Sequence, residues 1–363
     1  MKSYSLIASL FSLAGHALAQ NDAYVVSQQG VVNLLPLYQS WSVGDGVKFS
    51  EASAAISLYT PLSRVASVSI RAAGGGSSGD VTKLSGLADG QVSASYHLER
   101  ANVVLSLGVN LPSGKKKLTQ EEFETSGLIS NPIFHMQVPN FGTGFNIDPG
   151  IIWAMPVSET VVLGLGASYQ YKGKFQPLEE FGDYDPGDEI LVTGGVDARL
   201  SEGTTLSADL VFTAYGKDKL DGTDVFAAGR KIVVNAQFRK QFTVDELWLL
   251  ARYRSRGKAQ MQLGNIFATE DEKTEPDQFE FSASYTIGIN NSFSLSILAE
   301  GRFYQETPAD FSGVTLGGVG LAPTFKVSEN LSIPARFKFF TGTTKNDKTL
   351  TGVEAGVGVI IGF

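Results

Sequence analysis

Arg252, Arg254 and Arg256 stand at every second position of one short run, while Leu249, Ala251 and Tyr253 take the alternate positions. In an extended chain successive side chains point to opposite faces, so the three guanidinium groups share one face about 6.6–7 Å apart. Such a row attracts anionic solutes unless carboxylates answer it. Lys231, Arg239 and Lys258 extend the basic set, whereas Glu280, Glu300 and Arg302 could close it into a mutually neutralised network. Asp197 and Asp209 are expected to face each other across the turn at Gly203, with Arg199 beside them. Paired carboxylates can do acid–base work, but an Arg within reach makes them an ion-paired lining. Residues 179–189 gather Asp183, Asp185 and Asp188, hard oxygen donors suited to Ca²⁺. Pro186 before Gly187 breaks the D-x-[DN]-x-[DN]-G order, so the segment reads as a solvated acidic loop. Ser95 and His97 share a face, as a nucleophile and its base would. No cysteine occurs, and beyond position 20 only His97 and His135 remain, so no metal cluster, cofactor site or enzyme is expected.

The elements that carry these residues are strands. The final run alternates Val353, Ala355, Val357, Val359, Ile361 and Phe363 with Glu354, Gly356, Gly358, Ile360 and Gly362. Leu206, Ala208, Leu210 and Phe212 alternate in the same way with Ser207, Asp209, Val211 and Thr213. One apolar face and one small or charged face suit a strand between lipid and a watery lumen. Three guanidinium groups facing lipid would cost several kcal/mol each, so the arginine face is lumenal. The Ser95–His97 face is lumenal too, away from any bilayer substrate.

Connections alternate between short turns, as at Thr60–Ser63, Glu99–Asn102, Val157–Thr160, Ser201–Thr204, Asn290–Asn291 and Val327–Asn330, and longer polar or Gly-rich stretches near 74–89, 112–142, 173–188, 216–228, 257–276, 305–312 and 342–348. Short periplasmic turns and long extracellular loops mark outer-membrane barrels. The predicted fold is therefore all-β, a transmembrane antiparallel up-and-down β-barrel of about sixteen strands. Fourteen is the alternative if Pro36 keeps 31–42 out of the sheet and the weak run 315–327 is not a strand. Lys2, the apolar stretch from Leu6 to Ala14 and Ala17-Leu18-Ala19 read as a signal peptide over 1–19, cleaved after Ala19. Residues 20–46 are expected to form an N-terminal segment, first strand or plug, and 47–363 the barrel. The expected location is the outer membrane of a Gram-negative-type bacterium. Its partners there are outer-membrane lipid, the barrel-assembly machinery reading Phe363, and small polar or hydrophobic solutes. A formal charge of −8 excludes nucleic acid.

Tyr96, Trp153 and Phe363 fall near periplasmic ends, and Tyr169, Tyr171, Tyr253 and Phe303 near extracellular ends, where amphipathic rings settle at headgroup level. The stretch 112–142 is too apolar to stand in water. Thr119 and Glu122 form a capping-box pattern that predicts a short helix through Glu124 and Thr125. Phe134, His135, Met136 and Phe141 follow and are expected either to constrict the barrel mouth or to line a vestibule for hydrophobic ligands.

Two stretches carry a family likeness. Ser85-Gly86-Leu87-Ala88-Asp89-Gly90 leading to Tyr96, followed by Leu107-Gly108-Val109-Asn110-Leu111-Pro112-Ser113-Gly114-Lys115, resembles the "G-x-x-D … Y … LPTGK" pattern of the outer-membrane family linked to meta-pathway phenol degradation. That family is related in architecture to the fatty-acid and aromatic-hydrocarbon transporters. The residues themselves read as an outer-membrane pore for passive diffusion of small solutes; the resemblance implies a barrel and favours the alternative, a transporter of small hydrophobic or aromatic compounds. Gln20 to Ser42 lacks the Asn-Pro-Ala start of the fatty-acid transporters' plug. A third reading is a structural or surface-interaction barrel with a blocked lumen.

Overall fold

Alternation of apolar and polar positions closes the chain on itself in sixteen antiparallel strands. The computed structural model describes residues 29–363 except Asp45, Lys116, Glu180, Phe181, Asn265, Asp310 and Phe311, so the expected signal peptide and residues 20–28 lie outside the described residues. The wall runs β1 (Val31–Val43), β2 (Val47–Pro61), β3 (Ala66–Gly79), β4 (Gly90–Leu98, preceded by the short run Ser85–Leu87), β5 (Val103–Leu111), β6 (Asn146–Pro156), β7 (Val161–Lys172) and β8 (Glu189–Ser201). It continues through β9 (Thr204–Tyr215), β10 (Lys231–Gln241), β11 (Glu246–Arg256), β12 (Gln278–Asn290), β13 (Phe293–Tyr304), β14 (Val314–Ser328), β15 (Leu331–Thr343) and β16 (Thr349–Val357, continued by Val359–Gly362). Each strand pairs with its sequence neighbours, and β1 pairs with β16 to close the ring. A closed ring leaves no edge, so every strand's backbone is satisfied without water.

Both doubtful strands are in the sheet. Pro36 lies within β1 opposite Ala54, and the run from 315 to 327 belongs to β14. The cost of proline shows instead in β16, which is interrupted at Gly358. Pro334 of β15 and Pro36 of β1 flank that point, and neither has an N–H to donate. The Gly-rich stretch expected as loop from residue 74 is still strand through Gly79, paired with β2. Its glycines suit close approach: a Cβ at Gly75 would lie 2.9 Å from that of Ser53.

The two faces separate as alternation requires. Leu105, Ile151, Leu165, Val192, Leu210, Ile297, Val319 and Phe337 are exposed on the outside, forming the apolar band. Tyr96, Trp153, Tyr169, Tyr171, Tyr253, Phe303 and Phe363 are exposed at its margins. Thr213 is lumenal, but at 0% exposure it offers no spare volume. Above the barrel, Tyr184–Asp185, Lys217–Leu220, Thr223–Ala227, Gln260–Leu263 and Ile266–Thr269 build a separate five-stranded sheet from the long loops.

Candidate functional site

The segment between β5 and β6 enters the barrel, and the motif residues tie its two ends together. The Asp89 carboxylate accepts from Gly114 N (2.9 Å) at the entry and from Thr143 N (2.7 Å) at the exit, and Asn110 donates to it as well (3.1 Å). Ser113 Oγ accepts from Gly90 N (2.8 Å). Gly114 must be glycine, because a Cβ there would overlap the Phe141 carbonyl and Asp89. The Asp-Gly and Ser-Gly-Lys positions behind the family likeness thus make a clasp at the loop's base. Inside the clasp, α1 (Gln120–Ile129) starts at Thr119 with both bonds of the capping box, and Lys115 pairs with Glu122. The helix runs to Ile129, beyond the expected Thr125; its buried residues are Thr125, which donates to Thr82 O (3.1 Å), and Ile129.

After α1 the chain descends and is pinned residue by residue. Arg302 donates to Ile133 O (2.6 Å) and Tyr304 to Pro132 O (3.1 Å). Gln39 bridges His135 O (2.9 Å) and Gln137 N (2.7 Å), Gln137 reaches Leu35 O (3.1 Å), and Val138 N donates to Glu51 (3.0 Å). These bonds satisfy loop backbone that would otherwise be stranded away from water. His135 adopts a left-handed backbone, φ 47°, and its ring meets Glu280 at 3.1 Å. Burial, and next the Arg302 charge, hold the imidazole below its usual range against the pull of Glu280. It is therefore neutral at neutral pH, with Nε2–H donating to the carboxylate.

Phe134, Met136 and Phe141 are buried in a cluster with Trp41, Phe49, Leu316, Phe340 and Leu350 of the wall. A circumferential row explains how they fit. Phe49, Trp41, Gly352, Phe340, Gly318 and Glu300 lie side by side on successive strands. A Cβ at Gly352 would lie 2.6 Å from the Trp41 ring, and one at Gly318 2.5 Å from that of Phe340. The glycines let both rings lie flat on the wall, stacked at 5.2 Å, and Phe134 meets Trp41 and Phe49 edge-on at 5.3 and 5.0 Å. Burying Phe134 stabilises docking by about 1.5–3 kcal/mol.

The charged candidates divide into groups. Glu300 pairs with Arg302 (2.9 Å) and with Lys338, and Arg336 with Glu354 (2.7 Å), all beneath the docked loop. Adjoining Arg302, Asp209, Asn235, Arg252 and Glu280 form another row, with Asn235 donating to Asp209 and accepting from Arg252, each at 2.9 Å. Arg256 pairs with Glu275 (2.5 Å) and covers the Tyr215 ring, which Lys231 also approaches, and Arg239 pairs with Glu246 (2.6 Å). Asp197 and Asp209 do not stand opposite each other: Asp197 faces Ser207, which donates to it, and Asp209 faces Gly195. Arg199 reaches away to Glu159 O (3.0 Å) in the turn after β6, so the two carboxylates stand diagonally on adjacent strands without the expected Arg. Ser95 shares a hydrogen bond with Ser67 (2.7 Å). In the acidic loop Asp185 pairs with Lys174 (3.7 Å), Asp188 accepts from Lys172 N (2.9 Å), and Asp183 N donates to Asp221 (2.9 Å). Among the described residues no three acidic or histidine groups converge on a metal position.

Two positions that alternation alone could not single out matter most. Asp89 and Gln39 read as ordinary strand-end and lumenal residues, yet they hold the loop. Between loop and wall remains a cavity of about 190 Å³, lined on the loop by Ile129, Pro132, Met136 and Pro139 together with Ser130, Asn131 and His135, and on the wall by Arg252, Arg254, Gln278 and Glu280.

No family model and no curated protein matches the chain. Among solved structures it is similar to OprB of Pseudomonas putida (TM-score 0.51, 10% identity, 93% of this chain and 95% of that one). It is also similar to CdiB from Acinetobacter baumannii (TM-score 0.54, 8% identity, 90% of this chain and 60% of that one). A further similar structure is described as the CymD monoaromatic hydrocarbon channel (TM-score 0.48, 9% identity, 93% and 89%). At these identities the likeness is one of fold, the closed outer-membrane type of barrel.

Proposed function

We propose that the protein is an outer-membrane pore that passes small solutes by diffusion, with the docked segment 130–141 setting the narrowest passage. The observation that carries this reading is the one-sidedness of docking. The bonds and ring contacts of that segment go to β1, β2, β12 and β13. The opposite wall meanwhile presents Ser67, Ser95, Ser106, Gly150 and Ser168 side by side. Small polar residues leave volume for water and solute, and fixed charges then bias what passes. No step of covalent chemistry is involved. Conductance of the purified protein in planar bilayers tests the reading. A steady conductance with permeability to small neutral sugars is expected, and a silent barrel overturns it.

A second reading, transport of small hydrophobic or aromatic compounds, is favoured by one observation: four apolar loop residues, Ile129, Pro132, Met136 and Pro139, line the cavity. A silent barrel that retains neutral aromatic molecules through purification would support that reading instead.

A further inference from the structure

The cavity between loop and wall contains one charge that no other described residue answers. Arg252 spends its Nε on Asn235 and stands opposite Glu280, and Arg256 is held by Glu275 and Tyr215. Arg254 lies between them on the same face, with Val233 on one neighbouring strand and Gln278 on the other. Among the described residues no carboxylate pairs with it. Buried or half-buried cations are normally paired, so a guanidinium left open at a cavity is a vacancy for an anion. Glu280, the carboxylate of the lining, already accepts from His135 Nε2 and the Tyr304 hydroxyl, each at 3.1 Å. With Arg252 and Arg254 against Glu280, the lining carries a net positive charge.

The loop facing these arginines sets Ile129, Pro132, Met136 and Pro139 beside the polar Ser130, Asn131 and His135. Met136 and Pro139 supply a deformable apolar surface opposite the cation, and Pro132 closes one side. Charge at one end and apolar surface at the other complement a compact organic anion, and about 190 Å³ accommodates a single ring bearing one carboxylate. The position of Glu280 opposes a second negative charge on the same ligand.

We propose that this cavity is a binding site for small monocarboxylates with a compact apolar body, the carboxylate on Arg254 and the body against Met136 and Pro139. The site rests on the pore reading and deepens it, by naming the solute class that would dwell beside the passage under the docked loop. A planar guanidinium takes a carboxylate through two parallel N–H donors, which a neutral amide of the same shape does not match.

Calorimetric titration of the detergent-solubilised protein with benzoate, benzamide and phthalate tests the site whether or not the barrel conducts. Benzoate is expected to bind, benzamide and phthalate at least about tenfold more weakly. Arg254→Gln should weaken benzoate binding by about tenfold or more, and Arg254→Lys should restore part of it. Heat-modifiable migration on gels shows that each variant is folded. In planar bilayers benzoate should interrupt the current of the wild type and not that of Arg254→Gln. A barrel that binds benzoate but carries no current ends the pore reading and leaves the site standing. Folded wild type that does not bind benzoate, or Arg254→Gln that binds it as well as wild type, overturns the site.

Discussion

Two rows of inward residues, on opposite walls of the same barrel, put glycine to opposite uses. On one wall Ser67, Ser95, Ser106, Gly150 and Ser168 stand side by side, and their hydroxyls pair across strands, as Ser67 with Ser95. Small side chains there leave the lumen to water. On the other wall the row runs Phe49, Trp41, Gly352, Phe340 and Gly318, and the two glycines are covered by the rings of Trp41 and Phe340. Here the missing Cβ makes room for a platform on which Phe134 docks. An inward glycine therefore does not by itself mean an open lumen; the residue directly across the strand pair decides. Gly356, which in isolation suggests space, lies under Leu37.

Excising residues 118–141 and closing the gap with a short flexible linker breaks the comparison most completely. Both walls then face water, and conductance should rise several-fold if the docked segment sets the narrowest passage. Unchanged conductance in folded barrels would place the constriction elsewhere.

The next effect separates the walls by stability. Lys338 is 5% exposed as a side chain and serves Glu300 beneath the platform, so Lys338→Met removes one of the two cations that answer this buried carboxylate and leaves it to Arg302 alone. A loss of about 3–5 kcal/mol is expected in urea unfolding in lipid vesicles. Ser95→Ala on the open wall removes one hydroxyl pair and should cost about 1 kcal/mol or less. Equal losses would mean that the two walls are equally well packed.

How much of this was legible follows from what each signal reports. Period-two alternation reports faces, so the strands, the aromatic margins and the lumenal side of Arg252, Arg254 and Arg256 were readable without coordinates. Thr119 and Glu122 announced α1 because a capping box is local. Partners across the lumen are not local. Asp89 lies 54 residues from Thr143, and Gln39 lies 98 from Gln137, so nothing in either neighbourhood shows that the pairs meet. Asp197 and Asp209 failed for a smaller reason: the register across Gly203 puts each two residues from the position opposite the other.

A charge scan sharpens the same point at intermediate cost. Leu210→Arg places a cation in hydrocarbon at about 2–4 kcal/mol near midplane and should lower folding yield in vesicles. Ser93→Arg, exposed and lumenal on the open wall, should fold like wild type. Thr213→Arg is a third case, lumenal by alternation but fully buried, and should fail by overpacking. If Thr213→Arg folds as well as Ser93→Arg, alternation alone suffices and the local packing of that wall has no say.

The smallest expected effect tests whether the arginine row acts as one field or as separate groups. Arg256 faces Glu275, whose side chain is 49% exposed, and it also contacts the Tyr215 hydroxyl at 3.2 Å, so most of its charge is already answered near the extracellular rim. Removing it frees one exposed carboxylate and one ring, and exposed pairs of this kind contribute only about 0.2–1 kcal/mol. Arg256→Gln should therefore leave stability nearly unchanged and move the reversal potential slightly toward cation selectivity. That shift should vanish at high salt, where the screening length falls to about 3 Å. Arg254→Gln, with no acidic partner among the described residues to release, should move the potential further and keep part of the shift at the same salt, because its site is shielded by the docked loop. If the two substitutions shift the potential equally, the row acts as one unpaired field, and the division into answered and unanswered arginines is wrong.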